Sequence, residues 1–301
     1  MSLLVTGSIG IDTIHTPTGQ ADSVLGGSAI YFAAAASFSG PVRLVAAVGE
    51  DFPESMRASF EHFDIDLEGL EVRGGSKTFR WTGKYLDNMN DRETLSVELN
   101  VLAEELPPVP PSYTDSRYVF LANTHPGGQL ALRQQFESAE LVVADTMDLW
   151  IETERKTLMA LLKEIDGLVL NDSEALLLTG ERNPVTAGRQ ILEMGPKFVI
   201  VKKGEHGALL VHADGLCNLP AHPTSDVVDP TGAGDTFGGG FMGHIAASGD
   251  TSFQNLKHAM AVGTVVASFT LEKFSLERLM TLGEHDIQHR LNRYIEMLSI
   301  G

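Results

Sequence analysis

Ten residues, Val228-Asp229-Pro230-Thr231-Gly232-Ala233-Gly234-Asp235-Thr236-Phe237, bring two glycines, two threonine hydroxyls and two carboxylates together just ahead of an apolar stretch at 238–247. A Gly-Ala-Gly turn sets consecutive backbone N–H groups on one concave surface, and a helix that follows it points its positive end at them. Asp235, just inside that helix, places a carboxylate beside an anion-binding nest. Such a pairing suits phosphoryl transfer. The N–H groups hold the charge of the migrating group while the carboxylate takes the proton of the attacking hydroxyl. A glycine-rich turn with Asp235 as a helix cap explains Gly-Ala-Gly equally well. It leaves unexplained why Asp229, Thr231 and Asp235 crowd one turn.

Positioning these residues requires a scaffold, and the chain supplies an alternating one. Short β-branched runs at 3–6, 43–48, 118–122, 141–144, 168–170, 198–201 and 208–211 read as buried strands. Between them, 27–39, 53–63, 128–138, 149–165, 172–179 and 184–194 follow a helical period, several with Pro or Asp near the start. Strands alternating with helices predict an α/β fold with a central, mostly parallel sheet covered on both faces. Ligands of such sheets sit beyond the carboxyl ends of the strands.

One segment departs from this pattern. Lys77-Thr78-Phe79-Arg80-Trp81-Thr82-Gly83-Lys84-Tyr85 alternates strictly, with Phe79, Trp81 and Tyr85 on one face and Arg80, Thr82 and Lys84 on the other. This predicts a half-buried antiparallel strand. With 11–25 it forms a small sheet projecting from the main one, a lid expected from about 11–25 and 72–103 of a single 301-residue domain. Either the ligand or a second subunit must cover the aromatic face. The latter makes a homodimer through the lid an alternative to a monomer.

The run Asp229 to Phe237 resembles the C-terminal signature Asp-x-Thr-Gly-Ala-Gly-Asp-x-Phe of the ribokinase-like (PfkB) carbohydrate kinases. Other landmarks follow in family order: Gly26-Gly27 before an Ala-rich helix, Asn171-Asp172-Ser173-Glu174, and Lys203-Gly204-Glu205-His206-Gly207. The resemblance extends over essentially the whole chain. It implies that Asp235 is the catalytic base and that the amides of Gly232, Ala233 and Gly234 form the anion hole. It also implies that Asn171 and Glu174 organise Mg²⁺ and its waters near the ATP phosphates. Asn171-x-x-Glu174 is also a capping box on local grounds, and both roles are compatible. Gly204 and Gly207 fall to the ATP side, and one of Lys202 and Lys203 faces the phosphates. His258 falls where some relatives line the adenine pocket. Asp229 and Thr231 correspond to a monovalent-cation site, so K⁺ is a candidate cofactor beside ATP and Mg²⁺.

On the acceptor side, the resemblance assigns Asp12 to substrate hydroxyls, with Gly26, Gly27 and Asn123 nearby. Ribokinases carry Asn where Gly10 stands, and Lys-Gly-Ala-Asn where this chain has Ser28-Ala29-Ile30-Tyr31. Ribose therefore fits poorly, and Tyr31 either stacks on a base or larger ring or packs under the lid.

Composition narrows the partners. Lys plus Arg is 22 against 40 for Asp plus Glu, a formal charge of −18 that repels nucleic-acid phosphates and anionic membrane faces. The single cysteine, Cys217, has no base nearby and cannot form an internal disulfide. The start Met1-Ser2-Leu3-Leu4 lacks the basic residues of a signal peptide, and no apolar run is long enough to span a bilayer. A cytoplasmic location is expected. His285-Asp286-Ile287-Gln288-His289 lacks the glutamate and third ligand of a zinc-protease helix, and reads as a solvated face with Leu291, Tyr294, Ile295 and Leu298 turned inward. The expectation is an ATP- and Mg²⁺-dependent kinase acting on a primary hydroxyl of a sugar or sugar-like compound. The alternatives are a nucleoside kinase of the same family and a non-catalytic sugar or nucleotide sensor.

Overall fold

Strand alternation, carried through nine strands, gives one sheet with two apolar faces. The computed structural model describes residues 2–299. Its first half runs β1 (Leu3–Thr6), β2 (Gly10–Thr16), β3 (Gly19–Gly26), α1 (Ser28–Ser37), β4 (Val42–Gly49), α2 (Glu54–His62), β5 (Ile65–Arg73), β6 (Phe79–Tyr85), β7 (Arg92–Glu98), β8 (Tyr118–Leu121) and α3 (Pro126–Arg133). There follow β9 (Leu141–Asp145), α4 (Asp148–Thr153), α5 (Arg155–Leu161), β10 (Gly167–Asn171), α6 (Asp172–Thr179), α7 (Pro184–Glu193) and β11 (Phe198–Lys202). The chain closes with β12 (Ala208–His212), β13 (Gly215–Leu219), α8 (Ala233–Ser248), α9 (Phe253–Thr270) and α10 (Glu284–Leu298).

The main sheet has the order β13-β12-β11-β10-β9-β8-β1-β4-β5, parallel from β11 to β5 and antiparallel at β12 and β13. Successive side chains point to opposite faces. Leu3 and Val5 therefore pack with α1, α8 and α9, while Leu4 packs with the layer of α3 to α7. Burial on both faces is why these strands read as unbroken apolar runs.

The second sheet has four strands in the order β3-β2-β6-β7. It corrects one expectation: β6 pairs antiparallel with β7 but parallel with β2, Asp12 lying opposite Trp81. The lid strands cover Gly10–Gly26 and Phe79–Glu98, whereas Arg73 still belongs to β5 of the main sheet. The helix expected over 149–165 is two helices, broken at Glu154, whose φ of −123° and ψ of 28° are not helical. In α10, Ile295 is 43% exposed, contrary to the inward face read for it, and Ile287 is buried instead. His285 and His289 are exposed, their rings 6.2 Å apart. No helix among the described residues is long and apolar enough to cross a membrane.

Candidate active site

Strand ends and helix starts converge on a cavity of about 1700 Å³ between the main sheet and the lid. On the main-sheet side, Gly232 is the residue before α8 and has φ +74°, a left-handed backbone open chiefly to glycine. Its Cα face lies on the ring of Tyr31, so a Cβ at 232 would come within 2.4 Å of ring atoms. The amide of Ala233 donates to the Pro230 carbonyl at 3.2 Å. This corrects the expected three-amide hole, since one amide is spent on the turn. The amides of Gly232 and Gly234 have no backbone carbonyl partner.

Asp235 stands in the first turn of α8. Burial raises its pKa to about 7, and Asp145 adds to the rise while Lys202 and Arg92 oppose it. Lys202, at the end of β11, turns inward: its Nζ lies 3.5 Å from Asp145 Oδ2 and against Gly234. Burial works against its charge, but Asp145, Glu174 and Asp235 more than compensate and hold the ammonium protonated. Lys203 turns away, donating to Asn218 Oδ1 at 2.7 Å.

Asn171 caps α6 in a complete capping box: its Oδ1 accepts from the Glu174 amide, and Glu174 Oε2 accepts from the Asn171 amide, both at 2.7 Å. The cap locks Glu174 into the cavity wall, where burial first and Asp145 second raise its pKa to about 7. Gly204 and Gly207 shape the turn after β11 and also line the cavity. His258 does not. It is exposed on α9, 3.5 Å from Gln254, whereas Thr264, Ala267 and Ser268 of the same helix face the cavity. The adenine role expected of His258 is therefore withdrawn.

Asp229 is buried as a brace, accepting from the Thr231 amide at 2.8 Å and the Ser275 amide at 3.3 Å. Thr231 Oγ1 donates to Tyr85 Oη of the lid at 3.3 Å.

Asp12, 4% exposed, also lines the cavity. It packs against Gly26, where a Cβ would stand 1.8 Å from Asp12 Oδ2, so close approach excludes any side chain at 26. Its Oδ1 has no hydrogen-bond partner, and burial with the charges of Asp229 and Asp235 raises its pKa to about 7. Gly27 leads into α1 with φ +103°. Tyr31 is 1% exposed with an unpartnered hydroxyl; its ring supports Gly232 from below instead of offering a stacking face. Asn123, just after β8, lines the cavity with its amide held between Trp150 Nε1 and the sulfur of Met147.

Above these groups lies the inner face of the lid. Trp81 lies across Gly83, where a Cβ would meet its ring at 2.0 Å, and its Nε1 donates to Thr94 Oγ1 at 3.2 Å. Phe79, Trp81 and Tyr85 all face the cavity, so the aromatic stripe is turned toward the ligand space.

A model of the pfkB family carbohydrate kinases matches residues 2–279. The chain belongs to that family. It is a phosphotransferase with a hydroxyl acceptor, of the sugar and nucleoside kinase class. This kinase is 29% identical to a cytidine kinase of Thermococcus kodakarensis over 80% of its own length and 87% of the relative's. In fold it resembles the nucleoside kinase of Burkholderia thailandensis in complex with inosine. That comparison has a TM-score of 0.79 at 19% identity and covers 98% of each chain. It also resembles a ribokinase-like protein of E. coli in complex with ATP and Mg²⁺, with a TM-score of 0.76 at 19% identity over 97% and 99% of the two chains.

The kinase's residues fit a magnesium ion held mostly by water and phosphate. Such an ion needs few protein ligands, and the cavity-lining Glu174 keeps Oε1 outside its capping bond. Three residues of the site escaped the sequence reading. Asp145 ends the apolar run of β9 with a charge at the carboxyl edge of the sheet, a signal that was legible. Thr146 follows it, its hydroxyl buried and unpartnered. Arg92 gave no local signal, because only pairing with Tyr85 brings it to the cavity.

Proposed function

We propose that the protein is an ATP-dependent nucleoside kinase that phosphorylates a primary hydroxyl of the sugar. The observation that carries this reading is the flat Trp81 indole, laid on Gly83 and tied to Thr94, across the cavity roof beyond Asp12. An aromatic platform beyond a hydroxyl-accepting carboxylate suits a sugar that bears a planar base, since every base has a π-face to stack. Likeness to the Thermococcus cytidine kinase supports this reading.

Asp12 accepts hydrogen bonds from sugar hydroxyls through the oxygen that has no protein partner. The reacting hydroxyl faces Asp235, which takes its proton as the oxygen bonds to the γ-phosphorus and the bond to ADP breaks. The amides of Gly232 and Gly234 and the start of α8 hold the charge on the migrating group. Lys202 meets the phosphates from the floor. Glu174 would hold Mg²⁺, and the ion would supply charge neutralisation on the ATP phosphates. Closure of the lid excludes water, the competing acceptor.

A panel of nucleosides, pentoses, hexoses and inositols assayed with ATP and Mg²⁺ tests the reading. Nucleosides should show the highest kcat/KM. Equal or better turnover of a free sugar would remove the base from the proposal, and binding without ADP release would remove catalysis.

A further inference from the structure

An acidic protein that handles ATP faces an electrostatic problem, and this cavity sharpens it. The formal charge is −18. Seven of the lining side chains are Asp or Glu, Asp145, Glu174 and Asp235 among them, and two are Lys or Arg: Lys202 and Arg92. Lys202 is already engaged by Asp145. A γ-phosphate therefore meets one partly neutralised ammonium on the floor of the site.

Arg92 comes from the opposite side. It opens β7 and stands in register with Tyr85 of β6, so both side chains share the inner face of the lid. The guanidinium lies beside the Tyr85 hydroxyl, which in turn accepts from Thr231 of the anion-hole loop. At the hairpin tip, Asn90 Oδ1 rests against Gly204 of the turn after β11. The hairpin thus touches the main-sheet half of the site at two points, and between them it carries a cation. Arg92 remains exposed, so core packing does not depend on it.

We propose that Arg92 is a catalytic residue delivered by the lid, holding the migrating phosphoryl from the side opposite Lys202. This rests on the reading of the Gly232 to Asp235 loop as the phosphoryl-transfer site. A guanidinium suits the role, because its planar fork grips two phosphate oxygens and stays charged at every working pH. Arg92 forms no covalent bond. It donates N–H groups to the phosphoryl oxygens while the phosphorus passes from ADP to the acceptor and Asp235 takes the proton. Trp81 and Tyr85 ride on β6, the strand paired with that of Arg92, so an acceptor seated under Trp81 sets Arg92 in place and water alone does not. Productive transfer is thereby linked to acceptor binding.

The test assays Arg92→Ala and Arg92→Lys beside Asp235→Asn, with ATP, Mg²⁺ and the best acceptor of the panel. Arg92→Ala should lower kcat about 1,000-fold with the acceptor KM nearly unchanged. The acid limb of its kcat/KM profile should move to higher pH, because a positive charge beside Asp235 has gone while Asp145 and Lys202 still flank that carboxylate. Arg92→Lys should recover part of kcat, and added guanidinium should partly rescue Arg92→Ala. An unchanged kcat, or a loss confined to acceptor KM, overturns the proposal. So does a lower kcat with an unmoved acid limb and no rescue by lysine or guanidinium, the mark of a purely structural effect. Full activity in Asp235→Asn would instead overturn the assignment of the transfer site, a failure visible whatever Arg92 does.

Discussion

The two walls of the cavity are built on opposite principles. On the main-sheet side, the charged and capping groups sit at strand ends or a helix start: Asp145, Asn171 and Lys202 end β9, β10 and β11, and Asp235 lies in the first turn of α8. Their carboxylates are buried at a cost in ionisation that shows in raised pKa values for Asp235 and Glu174. The lid is the reverse. All seven residues of β7 are exposed, Leu95 and Val97 by more than half, and its inner face is aromatic. Reaction chemistry needs groups fixed to a fraction of an ångström, which a doubly covered sheet supplies. Choosing and enclosing a substrate needs a part that opens, and such parts belong to the least protected end of a fold.

The sharpest way to break this division is to exchange one group on each side. Asp235→Asn keeps the shape of the first turn of α8 and removes the carboxylate proposed as the base. Turnover should fall about 100- to 10,000-fold in steady-state assays, with nucleotide binding by calorimetry retained. Near-normal turnover would mean that the main-sheet wall does not carry the proton transfer. Trp81→Ala should act differently. Loss of a stacked base costs about 1–3 kcal/mol, so KM for a nucleoside should rise roughly 10- to 100-fold. Turnover at saturation should change little, and Trp81→Phe should recover most of the loss. A fall in kcat with KM unchanged would place chemistry in the lid stacking platform and erase the contrast.

The two walls were also unequally legible in the sequence. The main-sheet wall is written in contiguous code, because a turn and helix start position neighbours in the chain: Gly232, Gly234 and Asp235 could be read together, as could the box of Asn171 and Glu174. Seven strands of the main sheet could be found because burial on both faces leaves unbroken apolar runs. β5 and β13 escaped, being edge strands with mixed burial. The lid is written across the chain. The aromatic alternation of β6 was visible, but its parallel pairing with β2 and the placing of Arg92 beside Tyr85 depend on contacts between distant segments. His258 failed for a related reason: its position along α9 was right to within a few turns, but rotation about a helix axis decides which side chain faces a cavity. Ala233 failed at finer grain, through one turn bond to Pro230.

The smallest expected effect tests the cost of the buried wall directly. Asp235 has a pKa raised from 3.8 to about 7 in the folded protein, so between those values the folded state holds a proton that the unfolded chain has released. Stability must then fall as pH rises through that window, and the whole penalty is present above pH 7. Asp235→Asn removes the penalty without emptying the space. Its melting temperature should exceed that of the wild type by a few degrees at pH 8 and match it near pH 4, where the native carboxyl is already neutral. Trp81→Ala, on the exposed lid, should show no such pH-dependent gain. If Asp235→Asn is no more stable at pH 8 than the wild type, the carboxylate is already solvated or compensated in the free enzyme. The main-sheet wall would then be no more strained electrostatically than the lid. If the gain appears only at high pH, the same carboxylate that accelerates transfer is the one that the fold is least able to accommodate, which is the trade expected of a catalytic group and not of a helix cap.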